Sequence, residues 1–252
     1  MSGVNEARLN GVLSLTLDRP EKKNSLTGAM YEALSRGFLE AAADDDVGVV
    51  LIEGSGGAFT AGNDIADFLR SAEASATQAS ETPAFRFIRT IAAFEKPVVA
   101  AVDGVAVGVG TTLCLHCDLV YASPQAQFAM PFVKLGLVPE AGSSLLVPQR
   151  FGAARAAEML LLGDGFDANE ARALGLVNAV VPSAELSAHA RAKAEALARL
   201  PRSALLTTRR LLRGDRSELF NRLDEEARLF AQALRSKEAA AAFAAFLNRP
   251  RP

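Results

Sequence analysis

Short apolar runs broken by glycine and polar turns fill the first two thirds of the chain, and a helical rhythm takes over in the last third. Val12-Leu13-Ser14-Leu15-Thr16-Leu17 has leucine at every odd position and predicts a half-buried strand. Asp18 to Ser25 reads as a loop. From Thr27, a candidate N-cap, Met30, Leu34, Phe38 and Ala41 share one helix face that ends near the solvated run Asp44-Asp45-Asp46. Val49 to Ile52 and Val98 to Val102 are continuous apolar runs of buried-strand length. Between them, Ser71 to Thr82 lacks large apolar residues and reads as a mobile loop, and Phe85, Ile88, Ile91 and Ala92 mark a helix opened by Pro83. Further strands are expected at Leu119-Ala122, Gln127-Met130 and Val177-Val181, and helices at Ala153-Leu162 and Asn169-Leu174. From about Leu186 the pattern is helical, with breaks at Pro201, Gly214 and Ser236. An α/β body followed by a helical tail is the architecture these periodicities predict.

Two of the predicted strands leave the same way. Val49-Ile52 runs through Gly54-Ser55-Gly56-Gly57 into Ala58-Phe59-Thr60-Ala61-Gly62-Asn63-Asp64-Ile65, and Val98-Val102 runs into Gly104-Val105-Ala106-Val107-Gly108-Val109-Gly110-Thr111-Thr112. Glycine lets backbone approach a ligand closely, and the first amides of a helix have no partner within it. Two such ends facing one point would make a two-amide hole for an anionic oxygen.

Composition narrows the partners. The chain has 252 residues, 50% hydrophobic and 22% charged, with net charge -2, pI about 5.8 and mean hydropathy +0.15. That excludes wholesale disorder and leaves no global positive field for a nucleic acid or an anionic membrane. Cys114 and Cys117 flank His116 on an apolar stretch with no second pair to complete a zinc site, so they read as buried free thiols and His116 as a core histidine. No membrane-length apolar run, signal-peptide core or peroxisomal C-terminal tripeptide is present, and a cytoplasmic protein is expected.

Gly62-Asn63-Asp64-Ile65, Lys96-Pro97-Val98-Val99-Ala100-Ala101-Val102-Asp103-Gly104, Cys117-Asp118, Gln127-Phe128 and Gly136-Leu137-Val138-Pro139-Glu140-Ala141-Gly142 together resemble the crotonase (enoyl-CoA hydratase/isomerase) superfamily. The resemblance runs from about Val12 to Phe246 and lies nearest the peroxisomal-type Δ3,Δ2-enoyl-CoA isomerases. It implies a spiral of ββα units over residues 1–195 and a C-terminal helical region over 196–252 that packs subunits into trimers or hexamers. It also implies an acyl-CoA substrate with no further cofactor. The family's oxyanion amides fall on Asn63 and Val109. Its CoA and acyl contacts fall around Lys22, Lys23, Ser25, Ala61, Asp64 and Ile65, with Gly108, Thr112 and Phe132 nearby; the loop Ser71-Thr82 and the helix Phe85-Phe94 are expected to border the acyl pocket.

The departure from the hydratase pattern is chemical. Hydratases carry one glutamate at the position of Thr112 and a second at that of Phe132, and adding water across a double bond uses that pair. This chain retains Glu140, where the isomerases resemble it and carry their single acid/base glutamate. Removing a C2 proton from a 3-enoyl thioester and returning it at C4 needs one carboxyl and two oxyanion donors. Apolar Leu137 and Val138 are expected to desolvate Glu140 and raise its pKa toward neutrality. Without the resemblance, Glu140 would read as a turn or helix-start carboxylate. Other readings are hydration, ring isomerisation or thioester hydrolysis on the same fold, a non-catalytic acyl-CoA binder, and a serine hydrolase using Ser143-Ser144, which lacks a Gly-x-Ser-x-Gly elbow. Gly108-Val109-Gly110 lacks the third glycine of a dinucleotide fingerprint.

Overall fold

Asn10 and Gly11 both take positive φ, 52° and 77°, the conformation of a tight hairpin turn that an Asn-Gly pair adopts readily. The computed structural model describes residues 3–67 and 82–247. The turn joins β1 (Val4–Leu9) antiparallel to β2 (Val12–Leu17), and β1 is a strand that the hydrophobic pattern does not announce, because only Val4 of its six residues is buried. After a 3₁₀ turn (Pro20–Lys22), α1 (Gly28–Ala43) starts at Thr27, whose hydroxyl accepts from the Met30 amide. The candidate N-cap is therefore the N-cap.

β3 (Val49–Gly54), β4 (Val98–Val102), β6 (Leu119–Ala122) and β9 (Ala179–Val180) add to β2 in parallel, giving a six-stranded sheet in the order β1-β2-β3-β4-β6-β9. The β9 pairing covers two residues rather than the five expected at Val177-Val181. A smaller sheet holds β5 (Val105–Val107), β7 (Gln127–Ala129) and β8 (Phe166–Asp167). Chain order shows the repeating unit. β4 lies in the large sheet, β5 in the small one, and α3 (Val109–Cys114) follows; β6 and β7 repeat the step before α4 (Ser143–Phe151). Earlier turns contribute single bridges in place of strands, Leu26 to Asn63 and Thr60 to Ala106. The expected spiral of ββα units is present.

Both faces of the large sheet are covered. Leu13, Leu15, Leu17, Val50, Ile52, Ala100 and Val102 pack in the main core with α1 and with α2 (Pro83–Ala93), where Phe38 meets Phe94 edge-on at 4.9 Å. Val12, Val49, Leu51, Val99 and Tyr121 form a second core with Leu186, Ala190 and Ala194 of α7 (Ser183–Ala198). The expectation of a half-buried β2 is thus corrected: α7 covers its other face, and Ser14 is buried as well. The expected helix Ala153-Leu162 is α5 (Ala153–Ala157) running into a π turn (Glu158–Leu162), and α6 (Ala168–Ala173) follows β8.

The tail is α8 (Arg202–Arg213), α9 (Ser217–Leu234) and α10 (Lys237–Leu247), broken at the predicted points. α9 packs on α2 and α4, and α10 packs on the 3₁₀ turn Val133–Leu135. Leu219, Leu223 and Phe230 are therefore buried within the chain, while Leu211 and Leu212 of α8 are 74% and 83% exposed. Of the stretch Ser71-Thr82, all but Thr82 lies outside the described residues, and Thr82 is the N-cap of α2. Among the described residues no helix is long and apolar enough to cross a membrane.

α8 is pinned to the sheet by an ion pair. Buried Arg209 donates Nε to both carboxylate oxygens of Asp118, at 3.0 and 2.9 Å, and Nη1 to the Phe94 carbonyl at 2.7 Å. Asp118 also accepts from the Val98 amide at 2.8 Å and from Arg213 at 3.3 Å. Removing one partner of such a pair strands the other. Asp118→Ala is expected to lower the unfolding free energy by about 3 kcal/mol, measured by urea denaturation, and a loss no larger than that of an exposed pair would contradict the assignment.

Candidate active site

The two glycine-rich strand exits lie side by side because backbone hydrogen bonds join them. The Thr60 amide donates to Val105 O at 2.9 Å and the Val107 amide to Thr60 O at 3.0 Å. Two residues on, Leu26 donates to Gly62 O at 2.8 Å and accepts from the Asp64 amide at 2.9 Å. Gly62 has φ +88°, and a Cβ there would stand 2.7 Å from the Val107 carbonyl oxygen, so only glycine permits this approach. Gly108, at φ +57° and ψ -117°, breaks β5 and starts α3. Each bond in this set skips one residue. Among the described residues, the Asn63 and Val109 amides donate to no protein acceptor. They are two unpaired N–H groups on adjoining segments, able to donate to a ligand oxygen.

Glu140 lies between the 3₁₀ turn and α4 and is 4% exposed. Burial pushes its carboxyl up to about 8, with the charge of Glu226 acting in the same direction and a hydrogen bond from Thr112 opposing it. Thr112 Oγ1 donates to Glu140 Oε1 at 2.5 Å, which brings the α3 segment after Val109 into contact with Glu140. Oε2 accepts no hydrogen bond among the described residues. The chain leaves Glu140 through Ala141 at φ +59° and Gly142 at φ +72°. The left-handed conformation costs alanine about 1–2 kcal/mol, so something must hold it. His116 Nε2 bonds to the Ala141 carbonyl at 2.8 Å, and the Gly142 amide donates to Glu226 at 2.6 Å. Desolvation pulls His116 down to about 4, so it is the neutral core histidine expected from its neighbours.

The remaining candidates are spread along the approach. Lys22 and Lys23 are exposed, and the Lys23 carbonyl accepts from the Ala61 amide at 2.9 Å. Ser25 and Asp64 are joined through Arg19, whose Nη1 donates to Ser25 Oγ at 3.1 Å and to Asp64 Oδ2 at 2.7 Å. Burial raises the Asp64 carboxyl, but the Arg19 hydrogen bond, the Asp67 amide and the Arg19 and Lys22 charges outweigh it and hold the carboxyl below the usual range. Ile65 is partly buried against the main core, and Phe132 belongs to that core. Cys114 and Cys117 are buried free thiols, Cys114 pushed up to about 12 by desolvation. A cavity of about 590 Å³ among Phe38, Thr90, Phe94, Leu206 and Phe220 lies along α2, and no candidate site residue lines it.

Three participants are absent from the sequence reading. Tyr31, buried on α1, donates its hydroxyl to Asn63 Oδ1 at 2.5 Å, and burial first and the Glu140 charge second keep it protonated. Asn24, fully buried, accepts from the Arg19 amide at 2.7 Å and donates to Ser55 O and Ala58 O, bracing the first exit loop. Glu226 stands behind Glu140. Each sits in an element read only for its apolar stripe or its turn residues; Asn24 takes φ 54°, a left-handed conformation that asparagine adopts more readily than most residues.

Residues 7–252 match the family described as Enoyl-CoA hydratase/isomerase. Enoyl-CoA delta isomerase 2 of Rattus norvegicus is 37% identical over 219 residues, which cover 86% of this chain but only 56% of that protein. Probable enoyl-CoA hydratase echA8 of Mycobacterium bovis is 34% identical over 239 residues, 94% of this chain and 92% of the relative. The structure of Pseudomonas aeruginosa OdaA superposes with TM-score 0.93 at 45% identity, covering 98% of this chain and 99% of that one. With the spiral of ββα units and the paired strand exits already in place, these likenesses have one meaning: the chain belongs to the enoyl-CoA hydratase/isomerase family, the crotonase superfamily.

Proposed function

We propose that this chain is an isomerase that moves a double bond from the 3- to the 2-position of an enoyl-CoA thioester. The observation that carries the reading is the single available carboxylate. Among the described residues the buried acids are Glu140 and Glu226, and Glu226 is taken up by the Gly142 amide and by the amide and hydroxyl of Ser144. Where hydratases have their two glutamates, Phe132 offers no polar group and Thr112 a hydroxyl already given to Glu140. Hydration needs a water deprotonated while a proton is delivered to the neighbouring carbon. A double-bond shift needs one group that takes a proton and returns it.

In the proposed mechanism the thioester oxygen accepts from the Asn63 and Val109 amides, forming an oxyanion hole, and Tyr31 fixes the Asn63 side chain. Ionised Glu140 removes a proton from C2, and the electron pair spreads over C2–C4 and the thioester oxygen as a dienolate. Oε2, free of donors among the described residues, carries the proton to C4; the C3–C4 double bond becomes C2–C3. The raised pKa suits a group that must be a base and then an acid. Lys22, Lys23, Ser25, Ala61, Asp64 and Ile65 are proposed for the CoA end, and Gly108, Thr112 and Phe132 surround the reacting end. CoA enters as part of the substrate and no other cofactor is invoked. Members of the family act on acyl-CoA thioesters, and the names of this chain's relatives include both isomerase and hydratase.

Residues 196–252 are proposed to assemble the chain into a trimer or hexamer around the core formed by residues 1–195. Leu219, Leu223 and Phe230 do not support this, being buried within the chain; exposed Leu200, Leu211 and Leu212 do. Wild type is expected to scatter light at micromolar concentration as a multiple of three, and a paired Leu211→Glu, Leu212→Glu variant as a smaller species. A monomeric wild type contradicts the assembly.

Glu140→Gln keeps shape and both amides but removes the proton carrier. Isomerisation of a 3-enoyl-CoA is expected to fall by on the order of 10²-fold or more while calorimetry still finds the acyl-CoA bound. Wild type is expected to hydrate a 2-enoyl-CoA far more slowly than it isomerises; efficient hydration, or an unimpaired variant, sinks the assignment. The same substitution has a signature in stability. Glu140 titrates near 4.5 unfolded and at about 8 folded, so between these values the folded state holds a proton that the unfolded state has released. Stability from this group is present at low pH and is lost as pH rises toward 8, by about 1.4 kcal/mol per pH unit at most. Glu140→Gln does not titrate. Its melting temperature relative to wild type is expected to climb from pH 5 to pH 8, and a pH-independent difference would refute the buried, shifted carboxyl.

A further inference from the structure

We propose that Glu226, on the C-terminal helix α9, is a positioning residue for the reaction of Glu140, so that the C-terminal helical region is a working part of the site as well as a means of assembly. The inference rests on the reading of Glu140 as the acid/base group. Glu226 is 4% exposed and both of its oxygens are engaged with the segment that follows Glu140. Oε2 accepts from the Gly142 amide at 2.6 Å; Oε1 accepts from the Ser144 amide at 2.9 Å and from the Ser144 hydroxyl at 2.6 Å. Burial raises the Glu226 carboxyl, and the Ser144 and Gly142 hydrogen bonds and the Arg222 charge oppose it; all three partners donate, so the ionised carboxylate is the form this arrangement satisfies. Arg222, one turn earlier on α9, donates to the Ser144 hydroxyl at 3.1 Å and completes the chain of donors.

The segment so held is the one that aims Glu140. Ala141 and Gly142 are consecutive left-handed residues, and a relaxed turn here would rotate the Glu140 side chain away from Thr112. His116 fixes the Ala141 carbonyl from the core, and Glu226 fixes the next amide from the tail. A clamp from only one side would leave the turn a hinge. Among the described residues, Glu140 faces Glu226 from α9, Tyr31 from α1 and the Thr112 hydroxyl from α3, and Glu226 faces Glu140 and Arg222. The Glu226 charge raises the Glu140 carboxyl, so the residue that positions the base also tunes it.

The test compares Glu226→Gln, Glu226→Asp and Glu140→Gln with wild type by steady-state isomerisation of a 3-enoyl-CoA across pH, with melting curves as the control for folding. Glu226→Gln replaces an acceptor oxygen with an amide nitrogen facing N–H donors and deletes the charge. Its kcat is expected to fall on the order of 10- to 10²-fold, with KM nearly unchanged, and the acid limb of its kcat/KM profile is expected to move to lower pH. Glu226→Asp keeps the charge one methylene further back. Its kcat is expected to fall with the limb left in place, and it carries the test alone if Glu226→Gln does not fold. Wild-type kcat in either folded variant, or a lowered melting temperature with kcat and limb both unmoved, overturns the positioning role while Glu140→Gln remains inactive. Turnover by Glu140→Gln removes the reading of Glu140 itself and this inference with it.

Discussion

The pairing of Thr60 with strand β5 is the contact on which the site depends. It is a two-bond backbone ladder, with Thr60 donating to Val105 and accepting from Val107, and it joins the exits of two neighbouring strands of the large sheet. A parallel ladder skips every second residue, so continuing the pairing outward by Leu26 on Gly62 leaves Asn63 without an acceptor, and Gly108 at the start of α3 leaves Val109 the same way. The unpaired amides are a product of register and termination. Side chains enter only as supports: the Thr60 hydroxyl on Asn24 O, Tyr31 on Asn63, and the absent side chain of Gly62 where Val107 O comes close.

Against this rigid pair of amides the protein sets a carboxyl that is expensive to ionise. Glu140 is desolvated, has one hydroxyl donor and has a second carboxylate nearby; desolvation, the largest influence, and the Glu226 charge favour the proton-bound form and outweigh the Thr112 hydrogen bond. The same environment that weakens the fold at high pH gives a group able both to accept and to release a proton near neutrality. Asp64 shows the contrast within one site. Its burial is outweighed by Arg19, an Asp67 amide and Lys22, so it stays an anion and is suited to structure rather than to proton transfer.

The sequence made some of this legible and not the rest, for physical reasons that differ by element. Leu13, Leu15 and Leu17 announce β2 because one of its faces meets helices α1 and α2; its second face, buried under α7, carries Val12 and Ser14 and mimics a solvated one. β1 is almost wholly exposed, so its only mark is the Asn10-Gly11 turn. In the tail, helix breaks at Pro201, Gly214 and Ser236 follow from local backbone chemistry and are read correctly, but which apolar stripe stays inside is a matter of packing partners: Leu223 and Phe230 turn inward on the chain's own core, and Leu211 and Leu212 turn out. The Asn63, Val109 and Glu140 positions were legible only through family resemblance. Tyr31 and Glu226 were not legible, since a polar residue on an otherwise apolar helix stripe shows its purpose only when its partner, far along the chain, is known.

Thr112 connects the two halves of the site. Its amide belongs to the helix that Gly108 starts, donating to Gly108 O, and its hydroxyl binds Glu140 Oε1. Any shift of α3 that moves the Val109 amide therefore also moves a ligand of the carboxyl. A hydroxyl held as donor to Oε1 also makes the two carboxyl oxygens unequal, leaving the proton to be gained and lost at Oε2. A glutamate at this position, where hydratases carry one of their two, would add a charge and an acceptor beside Glu140. A threonine adds a donor and no charge, which orients one carboxyl without supplying another base, and this suits the proposed double-bond shift, in which a single proton is shuttled along one face of a dienolate.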